Sequence, residues 1–133
     1  MRIAIFSEVY WPMVSGVSNT LCRTVDALAG RGHAVRVYSA TYPLPPGTPD
    51  RAEVHRTPSG HFFLSPEVQW AAPRHAEIVE DLRRFGPDVV HLATEWAMGK
   101  AGLRAALALD APIVASAHTD YERYASRYGM GWA

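Results

Sequence analysis

The sequence predicts an α/β domain built on a doubly wound, mostly parallel β-sheet. The first observation is the continuous apolar segment at residues 3–6, which is typical of a strand covered on both faces. The second is that strand, helix and strand patterns follow one another within the first 40 residues. The third is that this alternation continues to residue 117, as expected where right-handed crossovers build a parallel sheet.

A helix of about four turns is expected after the first strand and the loop at residues 7–15. Its apolar residues recur at helical spacing, at Val17, Leu21, Val25 and Leu28. Glycines at positions 30 and 32 end it, because glycine readily adopts the left-handed conformation that follows many helices. The second strand covers residues 34–38. Residues 42–50 are rich in proline, which disrupts helices and central strands, so they form a surface connection.

The remaining elements follow in chain order. A short strand is expected near residues 53–57. A helix is expected at residues 73–85, with Pro73 in its first turn, where proline is well tolerated. The later elements are a strand at 88–92, a helix at 97–109, a strand at 112–117 and an amphipathic segment at 120–128. A chain of 133 residues suits one domain with one doubly wound, Rossmann-like sheet.

The composition argues against several functional classes. Lysine plus arginine equals aspartate plus glutamate at 13 each, so no overall positive field exists to attract nucleic acid. The six histidines lack the short spacings of metal sites, so no metal is expected. The single cysteine, Cys22, cannot form an internal disulfide, which favours the cytoplasm. No apolar segment approaches the roughly 20 residues that span a bilayer, so any membrane contact is expected to be peripheral, on the inner face.

The first candidate site is the loop that follows the first strand, because doubly wound sheets bind ligands at the carboxyl ends of their strands. This loop lacks the G-x-G-x-x-G spacing of dinucleotide sites, which argues against nicotinamide or flavin cofactors. It places Gly16 at the start of a helix, where free amides and the helix dipole favour an anion such as phosphate. The alternative is that Gly16 only completes the turn into the helix.

Polar and aromatic side chains in the same region suit a sugar ligand. Glu8, Tyr10 and Trp11 combine a carboxylate with aromatic rings, and Glu95 lies beside Trp96. Carboxylates bind sugar hydroxyls, and aromatic rings stack on the apolar faces of sugars. The alternative for Glu95 is that it caps the helix that follows it.

The end of the last predicted strand carries a further polar group, HTD at residues 118–120. His118 is suited to hydrogen-bond a ligand at the edge of the sheet. The alternative is local and structural, because Thr119 or Asp120 is a good N-cap for the segment that follows.

Taken in order, these motifs resemble glycosyltransferase family four. The matching segments are EVYWP at residues 8–12, SGV at 15–17, LAGRGHAVRV at 28–37, PDVVHLATE at 87–95 with Gly99, and SAHTDYERY at 116–124 with RYG at 127–129. The pattern is most similar to bacterial mannosyltransferases and to sulfoquinovosyl- or glycolipid-forming enzymes. The resemblance covers the whole chain and implies the GT-B fold, in which two Rossmann-like domains form the two walls of the active site.

The resemblance also implies a role for individual residues. His118 would be the catalytic residue that contacts the transferred sugar, and Gly16 and Val17 would approach the donor diphosphate. The acceptor cleft would be lined by Glu8, Tyr10, Trp11, Glu95, Thr119, Asp120 and Tyr124. The segment at residues 63–69 resembles a family loop that influences which acceptor is selected. No cofactor is expected, because the GDP- or UDP-hexose donor is a substrate.

The implied activity is retaining transfer of a hexose, with mannose favoured, from a nucleotide sugar to a glycolipid or to another sugar or alcohol acceptor. On this interpretation residues 1–133 form the N-terminal, acceptor-side domain. Its partner is the donor-binding C-terminal domain of the same enzyme, and the chain alone is expected to be inactive.

Two other interpretations stay open. The first is a non-catalytic α/β module that binds a sugar or nucleotide. The second is another enzyme class on a similar sheet, such as a response-regulator-like or epimerase domain. An acidic phosphoacceptor cluster and a Tyr-x-x-x-Lys pair, which these two would need, are missing from the sequence.

Overall fold

The computed structural model describes residues 1–62 and 65–116, and for residues 60–70 within that span only the backbone is described. This part of the chain forms seven strands and three helices. In chain order they are β1 (Arg2–Phe6), α1 (Gly16–Gly30), β2 (Ala34–Ala40), β3 (Val54–Thr57), β4 (Ser59–Phe62), β5 (Ser65–Ala71), α2 (His75–Phe85), β6 (Val89–Leu92), α3 (Ala97–Ala108) and β7 (Ile113–Ala115). None of these helices is long and apolar enough to cross a membrane.

Five of the strands form one parallel sheet in the order β3-β2-β1-β6-β7. The chain builds outward from β1 to β3 and then crosses back to add β6 and β7 on the other side of β1. This reversal between β1 and β6 confirms the doubly wound prediction. It also marks the switch point where such sheets bind ligands, next to Phe6 and Leu92.

Helices cover both faces of the sheet. On one face α1 packs through Leu21 and Val25 against Ile5 and its neighbours. On the other face α2 and α3 pack against a second cluster that contains Phe6. The centre of β1 is fully buried, as the apolar sequence of residues 3–6 predicts for a strand covered on both faces.

The predicted start of the second helix was wrong. Pro73 was expected in its first turn, but α2 begins at His75, and its N-cap residue Arg74 is extended, with φ −99° and ψ 103°. The predicted end is confirmed. Gly86 follows the helix with a φ of 67°, the left-handed conformation that glycine adopts at little cost.

The interpretation of residues 63–69 as a loop was also wrong for most of that segment. Strand β5 begins at Ser65 and pairs antiparallel with β4, forming a separate two-stranded sheet. Pro58 and Pro66 weaken the strand signal in the sequence, because proline is rare in the centre of a sheet. A two-stranded ribbon has two free edges, however, and an edge tolerates a residue that cannot donate a hydrogen bond.

Candidate functional site

The loop at residues 7–15, which follows β1 at the switch point, begins with two buried polar residues. Ser7 is fully buried and Glu8 is 4% exposed. The Ser7 amide donates to the Tyr38 carbonyl at 3.0 Å, which continues the sheet's pairing beyond the end of β1. A buried loop must satisfy its polar groups inside the protein. The partners of this loop therefore define how the site is built.

The carboxylate of Glu8 accepts hydrogen bonds from the main chain of two separate elements. The Met98 amide donates to Oε1 at 2.7 Å, and the Ala71 amide donates to Oε2 at 3.2 Å. Burial raises the pKa of Glu8 above its ordinary value, although the amides of Met98, Ala71 and Ala97 act in the opposite direction. Glu8 therefore joins the first turn of α3 to the last residue of β5.

The main chain of Glu8 makes further connections. Its amide donates to the Thr94 hydroxyl at 3.0 Å. Its carbonyl accepts from the Tyr42 hydroxyl at 2.9 Å and from the Ser39 hydroxyl at 3.4 Å. These bonds tie the loop after β1 to the segments that follow β2 and β6. One residue thus connects neighbouring loops at the carboxyl edge of the sheet.

Tyr10 lies in the core under α1 and is fully buried. Its hydroxyl donates to Glu53 at 2.6 Å, and the Arg51 guanidinium lies 5.6 Å from the centre of its ring. Burial raises the pKa of Tyr10, and the hydrogen bond to Glu53 adds to this effect. The pKa of Glu53 is lowered overall because hydrogen bonds from Tyr10 and Arg51 outweigh the opposing effect of burial. Tyr10 therefore anchors the middle of the loop.

Trp11 is half-buried next to this anchor. Its carbonyl accepts a short hydrogen bond from the Arg56 guanidinium, which also donates to the Ala40 carbonyl at 3.0 Å. Asp50 holds the same guanidinium in an ion pair at 2.8 Å. Arg56 therefore fixes the main chain of the loop at Trp11.

The start of α1 is capped by its own N-cap residue. The hydroxyl of Ser15 accepts from the Ser18 amide at 3.1 Å. Within the described part of the chain, the amides of Gly16 and Val17 have no acceptor, and the first turn carries no acidic residue. Gly16 is exposed, and a Cβ atom built on it would meet nothing within 4 Å. This helix start is open on its outer side.

Glu95 is exposed in the loop between β6 and α3. Its N-cap neighbour Trp96 makes no side-chain cap hydrogen bond, and the first turn of α3 has no acidic residue of its own. The Met98 amide is instead satisfied by Glu8. Capping of α3 by Glu95, the alternative left open by the sequence, is therefore not what the structure shows.

The structure brings part of the predicted site together. Gly16 and Val17 begin α1, and Glu95 precedes α3, all at the carboxyl edge of the sheet beside the switch point. Glu8 and Tyr10 use their polar atoms inside the protein, so their predicted contact with an acceptor stays a prediction. His118, Thr119, Asp120 and Tyr124 lie outside the described residues.

Three supporting residues were not predicted from the sequence. Ser15 precedes a helix by one position, which is an N-cap signal that the sequence offered. Thr94 and Arg56 gave no such signal, because their partners lie 86 and 45 residues away in the chain. Contacts between residues so far apart in the chain cannot be predicted from local sequence, because they form only when the strands pair.

A cavity of about 920 Å³ lies elsewhere, between α2 and strands β2 and β3. Its lining includes Arg36, whose guanidinium forms a bidentate ion pair with Asp81 at 2.7 Å. His55 lies 3.4 Å from the same carboxylate. The lining contains three arginines and three carboxylates, so the formal charges of these residues balance. It is separate from the carboxyl edge.

The strand order and the two helical layers define a doubly wound, Rossmann-like domain. Residues 14–133 match glycosyltransferase family 4. Because this match covers most of the chain, the protein belongs to that family. The resemblance seen in the sequence motifs is thereby confirmed.

Individual relatives are similar over nearly the whole chain. A GDP-mannose-dependent alpha-mannosyltransferase of Mycolicibacterium smegmatis is 40% identical over 100% of this chain and 36% of its own length. An alpha-monoglucosyldiacylglycerol synthase of Acholeplasma laidlawii is 34% identical over 93% of this chain and 31% of its own. A sulfoquinovosyl transferase of Arabidopsis thaliana is 29% identical over 98% of this chain and 26% of its own. The chain therefore spans between 26% and 36% of the length of these relatives.

Proposed function

We propose that this chain forms the acceptor-side domain of a retaining hexosyltransferase of family 4. The donor would be a nucleotide sugar, a GDP- or UDP-hexose, with mannose favoured because the 40% identical relative is described as GDP-mannose-dependent. The acceptor would be a glycolipid or another sugar or alcohol. The observations that carry the proposal are the open N-terminus of α1 and the exposed Glu95, which both lie at the carboxyl edge of the sheet.

The donor diphosphate would bind at the start of α1. The Gly16 and Val17 amides are free of acceptors in the described part of the chain, and the helix dipole adds a partial positive charge there. Gly16 has open space around the position of a side chain, so a phosphate oxygen can approach the main chain closely. No acidic residue in the first turn opposes the anion.

The acceptor would bind against the neighbouring loops. Glu95 is exposed and its carboxylate has no hydrogen-bond partner among the described residues, so it is available to sugar hydroxyls. Trp11 is half-buried and offers an aromatic surface. Glu8 and Tyr10 would support these loops from the interior of the protein. By family resemblance, Thr119, Asp120 and Tyr124 complete the acceptor site and His118 contacts the transferred sugar.

The proposed reaction breaks the bond between the anomeric carbon and the diphosphate oxygen and forms a bond from that carbon to the acceptor oxygen. The amides at the start of α1 stabilise the charge that develops on the leaving diphosphate. A second domain of the same enzyme would supply cationic groups from the opposite wall. Attack by the acceptor on the face that the diphosphate leaves retains the anomeric configuration, and the acceptor proton passes to the leaving phosphate.

The test is a screen of the full-length protein against nucleotide sugars with lipid and soluble acceptors, with NMR assignment of the product's anomeric configuration. We expect transfer from one donor with retention, and a loss of transfer on replacing Glu95→Gln. Asp110→Asn is the matched control, because Asp110 is an exposed carboxylate at the opposite end of α3. Inversion would contradict the mechanism. Tight binding of nucleotide or sugar without any transfer would instead favour a non-catalytic binding module.

A further inference from the structure

We infer that Glu8 is a positioning residue that sets the distance between the donor-phosphate position at α1 and the acceptor position at Glu95. This inference rests on the function proposed above. Glu8 itself contacts neither the donor nor the acceptor. It acts through the main chain of the two loops that do.

Glu8 holds the β6–α3 loop on both sides of two residues, the exposed Glu95 and the half-buried Trp96. Before this pair, the Thr94 hydroxyl accepts from the Glu8 amide at 3.0 Å. After it, the Met98 amide donates to the Glu8 carboxylate at 2.7 Å. Glu95 and Trp96 thus form a short arch, and the residues on either side of it, Thr94 and Met98, are both hydrogen-bonded to Glu8 of a different loop.

Packing against α3 restricts the conformation of the arch. A Cβ atom on Gly99 would lie 2.0 Å from the Thr94 carbonyl oxygen, so the loop lies directly on the first turn of α3. The helix has no side-chain cap from its own N-cap residue. The carboxyl group of Glu8 supplies the missing cap, because its Oε1 accepts from the Met98 amide.

The part of the β1–α1 loop that leads to α1 is held by residues other than Glu8. The Tyr10 hydroxyl is bound by Glu53 at 2.6 Å, and the Trp11 carbonyl is bound by Arg56. These contacts hold the path toward α1 in place. Removing the Glu8 carboxylate should therefore shift the Glu95 arch relative to α1 and leave the start of α1 where it is.

Such a shift affects transfer more than donor binding. The acceptor oxygen must approach the anomeric carbon closely, and a displacement of about 1 Å lowers the rate about 100-fold. Water, the nucleophile in donor hydrolysis, is small and does not depend on the Glu95 arch for its position. A protein with a displaced arch should therefore continue to hydrolyse donor slowly while transfer to the acceptor falls.

The test replaces Glu8→Gln in the full-length enzyme. The amide has the same size but only one oxygen, so its NH₂ group must face one of the two main-chain donors. We expect kcat for transfer to fall about 100-fold, an unchanged KM for the donor, and a higher ratio of donor hydrolysis to transfer. Asp81→Asn is the matched control, since it removes a paired carboxylate whose partners, Arg36 and His55, lie outside these loops.

A second variant covers the case in which Glu8→Gln does not fold. Thr94→Val removes the hydroxyl that accepts from the Glu8 amide and should raise the same ratio by a smaller factor. An unchanged ratio in the folded variants, or losses equal to those of Asp81→Asn, would overturn the positioning role. A wild-type enzyme that transfers no sugar from any donor would instead overturn the proposed function.

Discussion

Helices α1 and α3 begin at the same edge of the sheet, on either side of the switch point, but their N-termini are satisfied in different ways. At α1 the cap is local, since Ser15 binds the Ser18 amide and leaves the amides of Gly16 and Val17 facing outward. At α3 the cap is remote, since the buried Glu8 binds the Met98 amide. One helix start is open and the other is closed by a buried carboxyl group.

This difference indicates which helix start can bind a ligand. A free helix N-terminus attracts anions through its unpaired amides and its dipole. At α3 a protein carboxylate already occupies that position, and the same carboxylate fixes the loop that carries Glu95. At α1 the position is available. The anion binding that we propose at α1 and the loop positioning that we propose at α3 both depend on this difference.

The largest expected effect is the loss of the remote cap. Replacing Glu8→Ala leaves two buried amides without acceptors, and we expect the free energy of unfolding to fall by about 3 kcal/mol. Urea denaturation followed by circular dichroism measures it. A loss below about 1 kcal/mol would show that water replaces the carboxylate and that α3 has no need of Glu8.

The next effect concerns the glycine of the closed helix start. A Cβ atom on Gly99 would lie 2.0 Å from a main-chain oxygen, which cannot move aside as a side chain can. We expect Gly99→Ala to lower the free energy of unfolding by about 2 kcal/mol. Gly30→Ala is the control, because nothing lies within 4 Å of a Cβ atom there. Equal thermal unfolding curves for the two variants would contradict the close packing of the Thr94 loop.

A smaller effect is expected at the local cap of α1. Ser15→Ala removes the hydroxyl that accepts from the Ser18 amide, and its cost should be about 1 kcal/mol, typical of an N-cap. Thr20→Ala, at an exposed position of the same helix, is the control and should change stability little. If Ser15→Ala cost as much as Glu8→Ala, the proposed contrast between local and remote capping would be wrong.

The smallest effect on stability is expected at the open helix start. A side chain at Gly16 meets no protein atom, so Gly16→Ala should leave the free energy of unfolding unchanged or raise it by about 0.5 kcal/mol. Its effect on function should be larger, because the new methyl group would occupy the space of the phosphate. An increase in donor KM with unaltered stability would support the ligand role. An unchanged KM would show that Gly16 only completes the turn.

Several features were predictable because local sequence determines them. The apolar segment at residues 3–6 identified the central strand, and the apolar spacing of residues 17–28 identified α1. The motif series identified the family, as the match over residues 14–133 confirms. The strand β5 was missed because Pro66 lies within it, and a proline argues against a strand unless the ribbon edge that accommodates it is known.

The sequence by itself determined the fold class and the family, and it identified Gly16 and Glu95 as candidate site residues. Periodicity, turn residues and motif order are properties of neighbouring positions, so they can be read without the structure. Only the tertiary structure decided the part played by Glu8 and Tyr10. Both looked like exposed loop residues, yet their partners Met98 and Glu53 lie 90 and 43 residues away. A polar side chain in a loop is buried when folding brings unpaired amides or a carboxylate within hydrogen-bond distance. Neighbouring residues in the sequence give no sign of such distant partners.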